Sequence, residues 1–237
     1  RRGTIAGSDY EREKRPDDER RGYLDLQTPY YGFDHVDLCT LHGDRVRGHY
    51  DLWLREQVGD TERLRGKENA HPSPDITAPQ AWHTAIPTEL YPSTYVAQKT
   101  EAFLEAHANS GTDAPFFLQC SFPDPHHPYT PPGDYFRMYD PDDMPLPGSF
   151  DNPHPQPTTA HIHAQHLDST LPHLRIMPFA PSARHAREII ALTYGMISLI
   201  DDCVGRVMAK LRELGLDRNT VILSLIHISE PTRRSYI

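Results

Sequence analysis

The hydrophobic pattern of the chain is clearest between residues 184 and 214. Apolar positions recur there at alternating steps of four and three, which is the spacing of one face of an α-helix. Gly215 follows as a residue suited to the position just after a helix C-terminus. The sequence therefore predicts one long helix with a continuous apolar stripe. The stripe is made of Thr193, Ile197, Ile200, Val204, Val207, Leu211 and Leu214.

Two shorter helices are predicted nearer the N-terminus. Residues 93–107 carry a stripe of helical period that is followed by Gly111, and Ser93 is a suitable N-cap. Residues 50–57 show a weaker pattern of the same kind around Trp53. The chain between them, residues 60–87, is polar and rich in proline, which predicts a long loop.

Three short segments have the pattern of strands. Residues 115–122 are apolar and aromatic, which predicts a buried strand of a mostly parallel sheet. Residues 33–38 alternate between apolar and polar positions, and residues 220–222 begin a further apolar run. Helices that alternate with such strands are typical of an α/β fold.

Composition narrows the classes of function. The chain has 237 residues and a formal net charge of −9, and an acidic balance argues against nucleic acid as a partner. The sequence contains no apolar run long enough to span a bilayer. Cys39, Cys120 and Cys203 form no CxxC pair, so they predict neither a disulfide framework nor a zinc site, and they leave the redox compartment open.

Pro125-His126-His127-Pro128 is the best candidate for chemistry. It follows the predicted strand at 115–122 directly, and α/β sheets bind ligands beyond the carboxyl ends of their strands. The prolines stiffen the loop, which lowers the entropy lost in holding an imidazole in place. A histidine there can donate a hydrogen bond to an anionic oxygen or a proton to a departing alkoxide. The alternative is a loop histidine that is exposed or bonded to backbone.

Other polar groupings favour ordinary structural roles. Asp201 and Asp202 are neighbours on the predicted helix and point about a quarter turn apart, so they do not form a catalytic dyad. Asp202 is expected to pair with Arg206 in solvent. His42-Gly43-Asp44 contains two potential ligands, but its composition favours a turn.

Three histidines in the spacing H-x-H-x-x-H lie in a proline-rich stretch, residues 152–181, which predicts a variable loop. Imidazoles can bind transition metals, but in a tract of this kind they favour incidental chelation over a dedicated site. The three are His161, His163 and His166.

Several of these motifs together resemble the sulfatase family. The resemblance covers most of residues 22–222 and is most specific where the histidine loop is combined with the long helix. The matching segments are Pro-Phe-Phe-Leu at 115–118, Ser-Phe-Pro-Asp-Pro-His-His-Pro at 121–128, Pro-Leu-Pro at 145–147, Tyr-Gly-Met-Ile-Ser-Leu-Ile-Asp-Asp-Cys-Val-Gly-Arg at 194–206, Tyr-Tyr-Gly-Phe-Asp at 30–34 and His-Gly-Asp at 42–44.

The resemblance implies an alkaline-phosphatase-like α/β sandwich, with a central, mostly parallel sheet and helices on both faces. It implies a sulfuric ester hydrolase that acts on a small-molecule or carbohydrate sulfate ester. In the family the chemistry uses calcium and a formylglycine made from cysteine or serine in a C/S-x-P-x-R motif. The family's sulfate-contacting histidine corresponds to His126, and His127 is the second choice.

The remaining family motifs are expected to lie outside this chain. None of the three cysteines stands in a C-x-P-x-R motif. The family's early metal-binding aspartates would precede Arg1, and its Asp-His-Gly motif would follow Ile222. The chain is therefore expected to be an inactive internal fragment without metal ligands of its own, whereas calcium and formylglycine would belong to the parent protein. Two alternatives stay open: a phosphodiesterase or phosphonate monoester hydrolase of the same superfamily, and a non-catalytic binding protein on a degenerate sulfatase fold.

The last part of the chain has a different character. Residues 223–233 resemble the translated end of a transposon adapter used in preparing DNA libraries. Residues 1–222 are thus expected to be part of a catalytic domain, and residues 223–237 a non-native tail. A natural polar tail is the alternative. The sequence does not distinguish aryl, carbohydrate and choline sulfates, and it leaves localisation open, with export to the periplasm or beyond consistent with the family.

Overall fold

A computed structural model describes residues 28–151, 157, 160–162 and 179–225. Its principal helices are α1 at His49–Val58, α2 at Pro92–Asn109 and α3 at Ala183–Glu213. Its strands are β1 at Cys39–Thr40 and β2 at Arg47–Gly48. Short 3-10 turns connect them at Gly43–Arg45, Glu62–Leu64, Lys67–Asn69, Thr88–Leu90, Gly133–Arg137 and Pro141–Asp143.

The long helix α3 confirms the prediction for residues 184–214. Its first turn is capped by the Ser182 side chain, which accepts a hydrogen bond of 3.1 Å from the backbone N–H of His185. At its end Gly215 has a φ of 69°, and its N–H donates to the carbonyl of Arg212. Glycine adopts this left-handed conformation without a steric cost, so the helix stops where the pattern predicted.

The predicted apolar stripe of α3 is wrong in phase. Ile197 is 40% exposed and Val204 is 42% exposed, and of the seven predicted positions only Leu211 is fully buried. The helix carries apolar residues on two faces, and the buried face is the one that includes small residues. A count of apolar positions cannot choose between the two faces, because both carry large apolar residues. The buried residues are Glu188, Ala191, Leu192, Gly195, Met196, Leu199, Cys203 and Leu211.

Helix α2 matches its prediction except at the cap. Tyr91 occupies the N-cap position and Pro92 the first turn, where a missing N–H costs nothing. Ser93 lies inside the helix, so its predicted role as N-cap is wrong. Helix α1 confirms the short helix predicted at residues 50–57.

The helices share one hydrophobic core. Aromatic residues dominate it, with Tyr50 of α1 packing edge-on against Tyr95 of α2 at 5.4 Å between ring centroids. Helix α3 adds Leu199 and Cys203 to the same cluster. A smaller cluster contains Ala78, Ala81, Phe136 and Leu192. No helix in the described residues is both long and apolar enough to cross a membrane.

The strand predictions differ from the structure. The sheet of the described residues is a two-stranded antiparallel pair, in which Cys39 lies opposite Gly48. Residues 115–122, predicted as a buried strand, are irregular, and Phe117 is 80% exposed. Residues 33–38 and 220–222 are likewise not strands, and Val221 is 94% exposed. A strand needs a ladder of hydrogen bonds with a neighbouring strand. Within the described part of the chain, the isolated bridge between Tyr30 and Phe33 is the bridge that these segments make.

Close packing of α3 against residues 131–137 depends on Gly195. A Cβ at this position would lie 2.2 Å from the carbonyl oxygen of Tyr135. Gly195→Ala is therefore expected to destabilise the chain by about 2 kcal/mol through overpacking, measured by urea unfolding. Gly205→Ala on the same helix is the matched control, since nothing lies within 4 Å of its Cβ. The control should stabilise by up to about 1 kcal/mol, and equal effects of the two variants would contradict the close approach.

Candidate anion-binding site

The histidine loop is held at its C-terminal end by two neighbouring segments of the chain. The N–H of Tyr129 donates to the carbonyl of Gln80 at 2.8 Å, and the N–H of Trp82 donates back to the carbonyl of Tyr129 at 3.3 Å. On the other side Gly43, at a φ of 56°, approaches the loop so closely that a Cβ there would lie 2.8 Å from the carbonyl oxygen of Pro128. The turn predicted at residues 42–44 is confirmed by the 3-10 turn Gly43–Arg45.

Three imidazoles meet at this place, and we call them the histidine cluster: His42, His126 and His127. The rings of His42 and His126 stack with centroids 3.7 Å apart and an angle of 19° between their planes. The His127 ring lies 4.2 Å from that of His126. The ring of His126 is exposed, whereas His42 and His127 are half-buried. The sequence indicated His126 and His127, whereas it favoured a turn over a ligand role for His42.

The orientation of the His126 ring follows from one hydrogen bond. Its Nδ1 lies 2.8 Å from the carbonyl oxygen of His127. Because a carbonyl can only accept, Nδ1 must be the protonated nitrogen that donates. Nε2 of the neutral ring is then an acceptor, and it becomes a donor only when the ring is protonated. An anion that accepts from Nε2 therefore binds to the imidazolium form.

Proton uptake by the cluster is limited by its own geometry. Burial lowers the pKa of His42, and the nearby charges of His126 and His127 lower it further, against a smaller opposing effect from the carbonyl of Pro123. Burial and His126 lower the pKa of His127 in the same way. The two half-buried rings therefore favour the neutral form.

A buried carboxyl group lies directly beneath the loop. Asp124 accepts a hydrogen bond of 2.5 Å from the hydroxyl of Ser93, which lies in the first turn of α2. Burial raises the pKa of Asp124 to about 7, although hydrogen bonds from Ser93 and Tyr91 act against it. Next to it, the Tyr91 hydroxyl and Thr130 Oγ1 are 3.1 Å apart.

Asp44 is turned away from the histidine cluster and into the core. Its Oδ2 accepts hydrogen bonds from Trp82 Nε1 at 2.7 Å and from the N–H of Gly66 at 3.0 Å. Burial raises the pKa of this carboxyl group. The turn that carries His42 is thus anchored through the residue two positions later, and Asp44 is a structural residue of the site.

The other polar groupings do not join the site. Tyr135 donates to Asp202 at 2.5 Å, while Asp201 is exposed. The predicted pair of Asp202 with Arg206 is wrong, because Arg206 Nη2 binds Glu101 at 2.7 Å. Arg206 donates two hydrogen bonds to the Glu101 carboxylate. Such a bidentate pair is stronger and more directional than a single hydrogen bond.

The cysteines and the spaced histidines add no reactive group to the described site. Burial raises the pKa of Cys39 to about 12 and that of Cys203 to about 11, and it also raises the pKa of Cys120, so none is poised as a thiolate nucleophile. Of the three histidines in the H-x-H-x-x-H spacing, His161 is exposed. The other two, His163 and His166, lie outside the described residues.

The cofactors that the resemblance implied do not fit the residues present. Within residues 28–151 and 179–225, no group of three or more histidine, cysteine, aspartate or glutamate side chains is arranged to hold a metal ion. The letters S-x-P-x-R do occur once, with Ser229 and Arg233 at the ends. They fall in the segment expected to be non-native, outside the described residues.

Comparison with known proteins identifies the family of the chain. The profile of the Sulfatase family matches residues 40–225 of the chain. A multifunctional alkaline phosphatase superfamily protein of Trinickia caryophylli is 29% identical over 167 residues, which are 63% of this chain and 31% of that protein. An arylsulfatase of Clostridium perfringens is 29% identical over 136 residues, which are 56% of this chain and 25% of that protein.

A solved structure shows the same fold. The phosphonate monoester hydrolase of Agrobacterium radiobacter aligns with a TM-score of 0.52 and 20% identity over 81% of this chain and 39% of its own. The described residues therefore adopt part of an alkaline-phosphatase-like α/β fold. With the profile match over residues 40–225, the chain belongs to the sulfatase family. It spans about a third or less of the length of these two curated relatives.

Proposed function

We propose that the chain forms the part of a sulfuric ester hydrolase that binds the sulfate group, with His126 as the residue in contact with the sulfate. The observation that carries this proposal is the anchored ring of His126. Its Nδ1 is held by the carbonyl of His127 at 2.8 Å, and its Nε2 is left for a ligand on an exposed loop. Membership of the sulfatase family supplies the class of reaction.

The chemistry assigned to the chain is that of an acid. The imidazolium of His126 would donate through Nε2 to an oxygen of the tetrahedral anion, or pass its proton to the departing alkoxide. His127, whose ring is adjacent, is the second choice for either task. The stacked ring of His42 covers one face of the His126 ring. This arrangement favours a charged hydrogen bond, which is stronger than a neutral one.

Calcium and formylglycine belong to this proposal only as properties of the complete protein. The described residues do not fit as a metal site, so no step of the reaction assigned to this chain passes through either group. By the same reasoning we propose that the 237-residue chain alone does not turn over a nitrophenyl sulfate. The predicted central, mostly parallel sheet with helices on both faces is likewise proposed for the complete domain.

A second candidate function is favoured by the comparisons. The solved relative is a phosphonate monoester hydrolase, and one curated relative is a multifunctional member of the alkaline phosphatase superfamily. Phosphonate and sulfate monoesters are both tetrahedral oxyanions, so His126 would serve either. Rates of the complete protein with a nitrophenyl sulfate and a nitrophenyl phosphonate separate the two. A non-catalytic binding protein would turn over neither.

Sulfate binding to the chain tests the role of His126. In ¹⁵N-resolved NMR at about pH 6, where an ordinary histidine is largely protonated, sulfate is expected to shift the His126 ring signals. His126→Gln is expected to weaken sulfate binding at least about tenfold, because a charged hydrogen bond contributes about 1.5–3 kcal/mol. In the complete protein the same change should lower kcat/KM by about 10²–10⁴.

His35→Gln is the matched control. The His35 side chain is 68% exposed and lies against Phe103 of α2, with 6.5 Å between the ring centroids. It also forms one polar contact, to Asp37 at 2.8 Å, so the control removes an imidazole of comparable exposure. This variant is expected to leave sulfate affinity unchanged. Equal losses in the two variants would contradict a specific site at His126.

A further inference from the structure

His42 occupies a position that the proposed reaction does not explain. Its ring covers one face of His126 at 3.7 Å, although it comes from the turn after β1 and not from the histidine loop. Its Nδ1 is buried and has no hydrogen-bond partner among the described residues. A buried polar atom without a partner costs stability, so the ring is kept in this place at a penalty.

We propose that His42 is a positioning residue, a stacked ring that holds His126 in the orientation needed to bind a tetrahedral oxyanion. This inference rests on the proposed function and adds to it. The face of an aromatic ring attracts a cation that lies against it, and the effect is largest where water is excluded. A protonated His126 ring would therefore be attracted to the face of His42, and the stack also prevents the His126 ring from turning about its side-chain bonds.

The charged and titratable neighbours are consistent with this assignment. On the turn, Asp44 faces the core and binds Trp82 and Gly66. The other charged residue of the turn, Arg45, has its guanidinium over the ring of Trp82 at 5.8 Å. On the histidine loop, Asp124 is buried under the backbone and hydrogen-bonded to Ser93 of α2, beside Tyr91 and Thr130, and His127 is half-buried.

The hydrogen bond that fixes the His126 tautomer and the stack on His42 act together to fix the direction of Nε2. With Nδ1 donated to the carbonyl of His127, only a rotation about the side chain could move Nε2 away from a ligand. The ring of His42 blocks that rotation on one face of His126. The ring of His127, whose centroid is 4.2 Å from that of His126, restricts it further. Preorganisation of this kind raises affinity because less freedom is lost on binding.

Two variants of the full chain test the proposal with inorganic sulfate as the probe. His42→Ala removes the ring, and His42→Phe keeps an aromatic face while it eliminates the unpaired nitrogen. We expect His42→Ala to weaken sulfate binding about fivefold, in line with one lost cation–aromatic contact. His42→Phe should bind within about twofold of the original chain, because the face that carries the stack is retained. Near-ultraviolet circular dichroism verifies that each variant is folded.

A second measurement keeps the test independent of sulfate. Without any ligand, the ¹⁵N shifts of His126 in the original chain and in His42→Phe should report one tautomer, protonated at Nδ1. In His42→Ala they should report a mixture, since the freed ring can break its hydrogen bond to the carbonyl of His127. This readout applies to His42→Phe even if the alanine variant fails to fold, because a mixture in His42→Phe would overturn the positioning role.

The outcomes separate the two proposals. If sulfate shifts the His126 signals equally in all three chains and the tautomer is unchanged, the positioning role of His42 is wrong and the proposed function stands. If sulfate does not shift the His126 signals in the original chain, the proposed function is wrong, and so is the role of His42 in anion binding. A weakened alanine variant rescued by phenylalanine supports both.

Discussion

Replacing Glu188 by alanine is expected to destabilise the chain by about 3 kcal/mol. This carboxylate is fully buried on α3. Its Oε2 accepts from the backbone N–H groups of Thr77 at 2.8 Å and Ala78 at 2.7 Å, and its Oε1 accepts from Arg184 Nε at 2.7 Å. Alanine leaves two backbone donors without a partner and frees the loop around residue 77 from α3. Urea unfolding at neutral pH measures the loss.

Two further variants show whether the carboxylate itself is needed. Glu188→Gln keeps one acceptor but turns an amide N–H₂ toward Arg184 or the backbone donors, so it should lose about half as much stability as alanine. Glu101→Ala is the matched control, because it removes an ion pair between α2 and the partly exposed Arg206 of α3. That pair is expected to contribute about 1 kcal/mol or less. A loss at position 188 no larger than this would refute the anchoring role.

The pH dependence of the Glu188 contribution has a defined sign. Burial raises the pKa of Glu188, but the hydrogen bonds from Arg184, Thr77 and Ala78 outweigh it, and the net pKa is lowered. The folded state therefore binds fewer protons than the unfolded chain. The contribution is complete above the unfolded pKa and is lost as the pH falls through the lower, folded value, so it disappears only in acid.

Asp124 is expected to give the second large effect, a stability that decreases as the pH rises, which is opposite in sign to the effect of Glu188. Because burial raises its pKa from 3.8 to about 7, the folded chain holds a proton that the unfolded chain releases. Stability should therefore fall as the pH rises from 3.8 to about 7, and level off above that. At about 1.36 kcal/mol per pKa unit the loss is up to about 4 kcal/mol.

Asp124→Asn tests this directly. Asparagine resembles the protonated carboxyl group and can still accept from the Ser93 hydroxyl. The variant should be more stable than the original chain at about pH 8 and should lack its decline between acidic and neutral pH. Asp134→Asn, at an exposed position of the turn Gly133–Arg137, is the control and should preserve the decline. An unchanged decline in Asp124→Asn would show that another group causes it.

The position of the histidine loop was predictable because the relevant signal is local. Prolines on both sides of His126 and His127 are read directly from neighbouring positions. The same is true of α3, whose start at Ser182 and stop at Gly215 depend on capping within one turn. The resemblance to the sulfatase family, confirmed by the profile over residues 40–225, rests on such contiguous motifs.

The strands and the helix face were not predictable in the same way. Residues 115–122 have the composition of a buried strand, but a strand needs a partner from elsewhere in the chain. The buried face of α3 is selected by the approach of Tyr135 to Gly195, which no count of apolar residues reveals. In both cases the deciding contact joins residues far apart in sequence.

The sequence by itself determined where the helices α1, α2 and α3 form, that the chain belongs to the sulfatase family, and which loop carries an exposed imidazole. Tertiary structure alone decided that His42 stacks on that imidazole and that Asp124 and Glu188 are buried with their particular partners. Helical periodicity and capping act within a few residues. Burial and stacking depend on which distant segments pack together.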